Sequence, residues 1–302
     1  MTDAPLAPVV LDLDGSVGPL PGEIRLPLAN EWQETLRFGC GLGALKAFRA
    51  VLEGGMPAAR AHGTVFLGSG DFHHLSWPLI ERCIAAGGYT RERPLRVLVL
   101  DNHPDNMRFP FGVHCGSWVR RVAMLPQVAH VHVIGITSGD IGARHAWENY
   151  LAPLRAGRLT YWSTGVDTGW ASWLGIASRF RSFPDVDALV AEVMRMLARE
   201  ALPTYLSIDK DVFSPLVVRT NWDQGLLEAR HAAALIAGLR GCLAGSDVTG
   251  DVSAHRYQTV WKRWLSAADG QQTAAVSASL PAWQAGQAAF NVWLLDLLDM
   301  ES

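Results

Sequence analysis

The stretch that most constrains the fold is Val97-Leu98-Val99-Leu100, which runs straight into Asp101-Asn102-His103-Pro104-Asp105-Asn106. A strand with one wet face alternates apolar and polar residues, whereas an unbroken apolar run reads as a strand covered on both faces. Such strands belong to α/β proteins, where helices cover both sides of a parallel sheet. The run ends abruptly in carboxylates and an imidazole. In open α/β sheets, ligands bind beyond the carboxyl ends of the strands.

Two other predicted strands end in the same way. Thr64-Val65-Phe66-Leu67 leads into Gly68-Ser69-Gly70-Asp71-Phe72-His73-His74, and Thr204-Tyr205-Leu206-Ser207-Ile208 leads into Asp209-Lys210-Asp211. Further strands are expected at 9–13, 128–136 and, briefly, 159–162. Helices are expected at 76–86, 117–124, 226–243, 260–265 and 282–298, and 31–52 has helical character interrupted by Gly39, Gly41 and Gly43. The clearest helix starts at Asp185, with Val186, Leu189, Val190, Val193, Met194 and Leu197 on one face. Residues 247–253 read as a weak strand or loop. Strands alternating with helices mean βαβ units and a mostly parallel sheet with right-handed crossovers. With no repeat or linker in view, residues 1–302 are expected to form a single domain.

Composition narrows the function. Hydrophobic residues make up 49% and charged residues 18% of the chain, enough for a large core. A net charge of −3 gives no basic footprint for nucleic acid. Apolar runs are too short to span a membrane. The first ten residues lack the features of a secretory signal, which predicts a cytoplasmic protein. Cys40, Cys83, Cys115 and Cys242 include no CxxC pair and fit free thiols in a reducing compartment. A small molecule is the expected substrate.

The three strand ends carry His73 and His74, then Asp101, His103 and Asp105, then Asp209 and Asp211. In an extended segment, Asp101 and His103 share a face, as do Asp209 and Asp211, so each pair can aim two donors at one point. Lys210 then points to the opposite face. Imidazole and carboxylate donors suit Mn, Zn or Fe. Four clustered carboxylates repel unless some protonate or two divalent cations neutralise them. Two metals about 3.5–4 Å apart share and acidify a water. A single aspartate after a strand is most often a cap, and a lone histidine a satisfied polar residue. Three such clusters at three strand ends are hard to explain in that way.

These motifs resemble the ureohydrolase superfamily, the arginase and agmatinase group. Asp101-Asn102-His103-Pro104-Asp105 is similar to its Asp-Ala-His-x-Asp motif, and Ser207-Ile208-Asp209-Lys210-Asp211-Val212-Phe213-Ser214-Pro215 to its Ser-x-Asp-x-Asp-x-x-Asp-Pro motif. Gly68-Ser69-Gly70-Asp71-Phe72-His73 resembles Gly-Gly-Asp-His-Ser with an extra residue, and His114-Cys115-Gly116-Ser117 a short His-Gly segment. The resemblance implies a three-layer α/β/α, arginase-like fold with two Mn2+ ions per chain, other divalent metals being possible. It implies that Asp101 and Asp209 bridge the ions, with Asp105 and one of His73 or His74 on one, and His103 and Asp211 on the other. It implies a metal-bridging hydroxide that attacks a planar guanidino or amidino carbon, with His114 carrying the proton to the leaving amine near the ordinary imidazole pKa. His114 and Asp105 are the catalytic candidates. A homo-oligomer is also possible.

The chain departs from the family pattern in several places. Ser214 replaces a third aspartate, and residues 218–227 keep only part of a Gly-rich turn. Gly250 stands where the family has the glutamate that holds the guanidinium; Asp251, one residue on, is the substitute candidate. Asp140, after the 128–136 strand, is a substrate-contact or turn residue. Cys115 beside His114 is expected to be an apolar filler, not a nucleophile. Gly68-Ser69-Gly70 lacks the third glycine of a dinucleotide loop. Trp162, Trp170 and Trp173 are pocket-wall or core candidates. Two alternatives to a two-metal C–N hydrolase stay open: a deacetylase-like amidohydrolase using one metal, and a non-catalytic member of the fold.

Overall fold

The computed structural model describes residues 6–263 and 273–300. The covered strand β5 (Leu95–Leu100) lies inside a nine-stranded, all-parallel sheet. Its companions are β1 (Val9–Asp12), β2 (Ile24–Pro27), β4 (Val65–Phe66), β7 (Val128–Ile136), β8 (Leu159–Thr164), β9 (Phe180–Phe183), β10 (Thr204–Asp209) and β11 (Leu243–Thr249). They run in the order β2-β1-β4-β11-β10-β5-β7-β8-β9. A two-stranded antiparallel pair, β3 (Gly39–Cys40) and β6 (Val113–His114), stands apart.

Alternate residues of each strand face opposite layers. Val97 and Val99 pack with α2 (Leu42–Gly55), α3 (Ser76–Gly87), α4 (Val119–Ala123) and α5 (Ala152–Arg155). Leu98 and Leu100 pack with α6 (Val186–Arg199), α7 (Ala229–Ala237) and a last helix, α8 (Thr273–Asp299). This is the three-layer α/β/α architecture. Asp185 starts α6 as expected, its carboxylate accepting the Ala188 N–H at 2.8 Å.

Several expectations change. Residues 31–52 split into α1 (Ala29–Leu36) and α2, because the glycines admit β3 between them. Of residues 247–253, expected as a weak strand or loop, 247–249 are the end of an interior strand of the sheet, β11 (Leu243–Thr249), and 250–253 lie beyond it. Its polar residues hid it: Ser246, Asp247 and Thr249 are buried, and find partners on other elements. Residues 260–263 are helical, and 264–265 lie outside the described residues. Trp162 is core, Trp170 packs partly against the core, and Trp173 is exposed. No helix among the described residues is long and apolar enough to cross a membrane. Cys40, Cys83 and Cys242 are free thiols.

The order places β4, β11, β10 and β5 side by side, although β4 and β5 are consecutive along one face and β10 arrives a hundred residues later. Strand order reverses around this group, and the crevice at such a point is where α/β sheets bind ligands.

Candidate metal centre

The segment after β4 is a 3-10 turn over Gly70–Leu75 that starts at Ser69, whose hydroxyl accepts the Asp71 N–H. It carries His73 over the carboxyl end of the sheet. His73 Nδ1 lies 3.2 Å from Asp101 Oδ2, 2.9 Å from Asp105 Oδ2 and 3.5 Å from Asp209 Oδ2. On the other side, His103 Nδ1 lies 3.0 Å from Asp211 Oδ2 and 3.5 Å from Asp101 Oδ1. Two three-donor groups result, His73–Asp101–Asp105 and Asp101–His103–Asp211, and they share Asp101.

Each donor is held by a partner behind it. His73 Nε2 bonds Ser207 Oγ at 3.0 Å, and Ser207 in turn donates to Asp247 Oδ1 at 2.8 Å. His103 Nε2 bonds Asp223 Oδ1 at 2.8 Å. With both Nε2 atoms so engaged as donors, Nδ1 is the nitrogen each ring turns to the carboxylates, donating to them when protonated and free to ligate when it loses that proton, the arrangement that orients histidine ligands. Asp105 turns the chain with a left-handed backbone (φ 46°), and Trp118 Nε1 donates to its Oδ2 at 2.6 Å. Asp211 Oδ1 accepts the Asn102 N–H, and Asp209 Oδ1 the Asp211 N–H.

Electrostatics confirm that the cluster lacks counter-charge. Burial, with Asp101 beside it, pushes Asp105 up to about 7. Burial and neighbouring Asp101 push Asp211 up to about 6, against the pull of His103. Asp209 is raised by burial and by Asp211. Burial would lower His73 and His103, but the facing carboxylates overcome it and raise both. Asp101 Oδ2 is buried without a hydrogen-bond partner among the described residues. An orphaned anionic oxygen between two sets of N and O donors fits divalent cations, and this donor set is hard and thiolate-free.

The cluster floors a cavity of about 470 Å³. Of the other sequence candidates, His114 and Asp140 line it, and His74 and Asp251 do not. His74 is fully buried, and neither ring nitrogen has a hydrogen-bond partner among the described residues. The doublet is thereby resolved toward His73: successive residues of the tight turn point apart, so only one reaches the cluster. Asp251 is also displaced from the role expected of it. It is buried against Lys210, whose Nζ is 2.8 Å from Asp251 Oδ1, behind the site and away from the cavity. Lys210 does face away from the donors, as alternation requires. Gly250 has φ +91°, and a Cβ there would sit 2.5 Å from Asp209 Oδ1, so no glutamate fits at this position.

His114 is held by Phe38, stacked at 5.8 Å, and by Phe109 edge-on at 4.6 Å. Its Nδ1 accepts the Gly116 N–H at 3.0 Å, which puts the proton of the neutral ring on Nε2. Burial holds its pKa down to about 4, well below the ordinary imidazole value expected from the sequence. Cys115 lines the cavity too, with its N–H bonded to the Phe38 carbonyl.

Sequence reasoning missed Trp222 and Asp223, which close one side of the cavity, and His145 and Glu148 on another. Asp223 lies 120 residues from its partner His103, and no local pattern links them. The only signal was the departure of 218–227 from the family's Gly-rich turn.

No protein-family model matches the chain. An uncharacterised protein of Thermotoga maritima is 26% identical over 163 residues, 54% of this chain and 47% of the relative, so the match spans about half that relative's length. Solved structures match over nearly the whole chain. Proclavaminate amidino hydrolase from Streptomyces clavuligerus has a TM-score of 0.56 at 16% identity, covering 99% of this chain and 93% of that one. Arginase from Bacillus caldovelox has 0.53 at 13%, covering 99% of both. Formiminoglutamase from Trypanosoma cruzi, solved with Mn2+, has 0.54 at 12%, covering 99% and 94%. At these identities the likeness is one of fold, and the chain has an arginase-like α/β/α fold.

Proposed function

We propose that the protein is a binuclear-metal hydrolase, with Mn2+ as the metal, that cleaves a C–N bond of a linear amidine or guanidino compound. The observation that carries this is Asp101, a buried carboxylate shared by two three-donor groups at adjacent strand ends. His73, Asp105 and Asp209 would hold one ion and His103 and Asp211 the other, with Asp101 common to both and Asp209 able to reach across. Two divalent cations there, when bound, supply Lewis acidity and a water acidic enough to attack at neutral pH.

The chain's own residues do the rest. The three strand ends fix the donors on a rigid sheet, and Ser207, Asp247 and Asp223 set the imidazole orientations. His114 is neutral near pH 7 and offers Nε2–H as a hydrogen-bond donor to the leaving nitrogen. To accept a proton at Nδ1 it must first release Gly116. This assigns His114 the part of a neutral electrophile more than that of a titrating acid. Free thiols at Cys40, Cys83 and Cys242 suit a reducing compartment, and we infer a cytoplasmic protein.

The test is a urea- and ammonia-release screen of the Mn2+-loaded protein over guanidino, amidino and N-acyl amine compounds, with Asp101→Asn as control. Release by the wild type alone supports the proposal, and no release from any compound overturns it. The absent side chain at Gly250 favours one second reading, a non-catalytic metal-binding member of the fold. Two Mn2+ bound per chain, with no release from any compound, would establish that instead.

A further inference from the structure

The aromatic rings that hold His114 are themselves packed against residues from 257 to 261. Phe38 stacks on His114, and Phe109 meets it edge-on. Trp261 lies 6.5 Å from Phe38 and 5.9 Å from Phe109, ring centre to ring centre, and Tyr257 lies 6.2 Å from Phe38. Phe38 is buried with a φ of 65°, a left-handed backbone that a bulky residue rarely adopts. Its N–H donates to the Asp71 carbonyl and its carbonyl accepts the Cys115 N–H, so one strained residue ties the His73 turn to the His114 segment. Such strain persists only where the surroundings enforce it, and it gathers at functional sites.

The enforcement comes from far along the chain. Glu34, in α1, gathers the later part of the segment. Its Oε1 accepts the Thr259 N–H at 2.9 Å, the Thr259 hydroxyl at 2.8 Å and the Gln258 N–H at 3.2 Å, and its Oε2 lies 2.8 Å from His255 Nε2. Burial alone would raise the Glu34 pKa, but His255 and Thr259 hold it down to about 2, so the carboxylate is ionised. Hydrogen bonds to an ionised group are about twice as strong as neutral ones. Buried Lys262 donates from Nζ to the Glu34 and Thr35 carbonyls, at the helix end that favours a cation. Tyr257 donates its hydroxyl to Asp71 Oδ2 at 3.0 Å. Nearer the start, Ser253 accepts from Arg37 and donates to Asp14, each at 2.6 Å, and its carbonyl accepts from Asn221, next to the cavity-lining Trp222.

We propose, resting on the hydrolase reading above, that residues 252–262 are a strap over the aromatic wall of His114, and that Glu34, which pins the strap, is a positioning residue for His114. Glu34 does not line the cavity. It acts through the strap. Tyr257 and Trp261 hold Phe38 and Phe109 against His114, water is kept from that side of the imidazole, and the ring keeps its place on the cavity wall. Loss of the pin frees the strap without removing any group that faces the substrate. A shift of about 1 Å in a catalytic group, caused from a distance, costs about a hundred-fold in turnover.

Glu34→Ala in the Mn2+-loaded protein tests this with diethyl pyrocarbonate, which modifies accessible neutral imidazoles, each site being read by peptide mass spectrometry. His114 is expected to react several-fold faster than in wild type, with two Mn2+ still bound. His132 of β7, whose ring neighbours are His130 and Trp162, should not change. Glu34→Gln, which keeps an oxygen acceptor, should fall between wild type and Glu34→Ala. Trp261→Ala, at a partly exposed position, should free His114 in the same way if Glu34→Ala does not fold. On a hydrolysed compound, Glu34→Ala should lower kcat about ten-fold to a hundred-fold with KM little changed. His114 reactivity unchanged in Glu34→Ala and Trp261→Ala, or raised equally at His132, overturns the proposal, and so does an unchanged kcat. The two readings fail separately. No release from any compound by the wild type removes the hydrolase, while the modification rates still decide the strap. Release by the wild type, with His114 equally protected in both variants, does the reverse.

Discussion

Replacing Asp251 by asparagine removes the carboxylate that faces the buried Lys210 ammonium. The two side chains are fully buried and 2.8 Å apart, and Asn291 Oδ1 accepts from the same ammonium at 2.7 Å. Breaking one side of a buried pair costs about 3–5 kcal/mol, because the remaining charge has lost its water as well as its partner. The lysine can escape by giving up its proton. Holding an ordinary lysine neutral at pH 7 costs about 4.6 kcal/mol, which caps the loss. We expect Asp251→Asn to lose about 3–4 kcal/mol, since the new amide and Asn291 still accept hydrogen bonds. The pH dependence follows in sign. Burial already lowers the Lys210 pKa, and Asp251 opposes that shift; without Asp251 the depression deepens. Between the lowered folded value and the unfolded value of about 10.4, the unfolded chain binds more protons, so the variant's stability rises with pH. Urea unfolding followed by circular dichroism, at pH 7 and pH 9.5 with Mn2+ held constant, reads both effects. The gap to wild type should narrow at the higher pH, and Lys210→Met/Asp251→Leu should recover most of the loss. A loss under about 1 kcal/mol that does not change with pH would refute the reasoning. A stable variant with a raised KM would return Asp251 to substrate binding.

Three further outcomes are expected. Metal-free protein should gain stability as pH falls from about 8 to about 6.5, before the neutral His74, His114, His130 and His132, whose pKa values burial lowers, begin to oppose it. Asp105 and Asp211 have raised folded pKa values and His73 and His103 are raised too, so the folded state binds the extra protons; saturating Mn2+ should abolish the slope in thermal unfolding. Ser207→Ala removes the partner of His73 Nε2 and should weaken Mn2+ binding about 10–100-fold by calorimetry while leaving His103 and its ion in place. His114→Ala should lower turnover about 100-fold or more with two Mn2+ retained, and the wild-type rate profile should show no inflection near pH 6.5 from His114, whose burial holds it at about 4; loss of metal would instead make His114 a ligand.

The donors were legible because each motif is local. Strand β5 and the aspartates and histidine after it lie within eleven residues, and hydrophobicity followed by donors is a pattern that needs no partner to be seen. The same holds for Asp209 and Asp211 after β10. By itself the sequence thus determined the parallel α/β class, the strand ends that carry chemistry and the residue types available there. It did not show β11, because its inward polar side chains depend on partners such as Ser76 and Tyr205 for their burial. It could not choose between His73 and His74, since a 3-10 turn decides which ring reaches the sheet. It also gave Asp251 to the substrate, when α8 and Lys210 enclose it. Only the tertiary structure brought Asp223 to His103 and set Asp140 beside Glu148 on the cavity wall. These pairings are made by strand order and loop path, and charge and hydrogen-bond complementarity act between side chains wherever the chain returns, regardless of their separation in sequence.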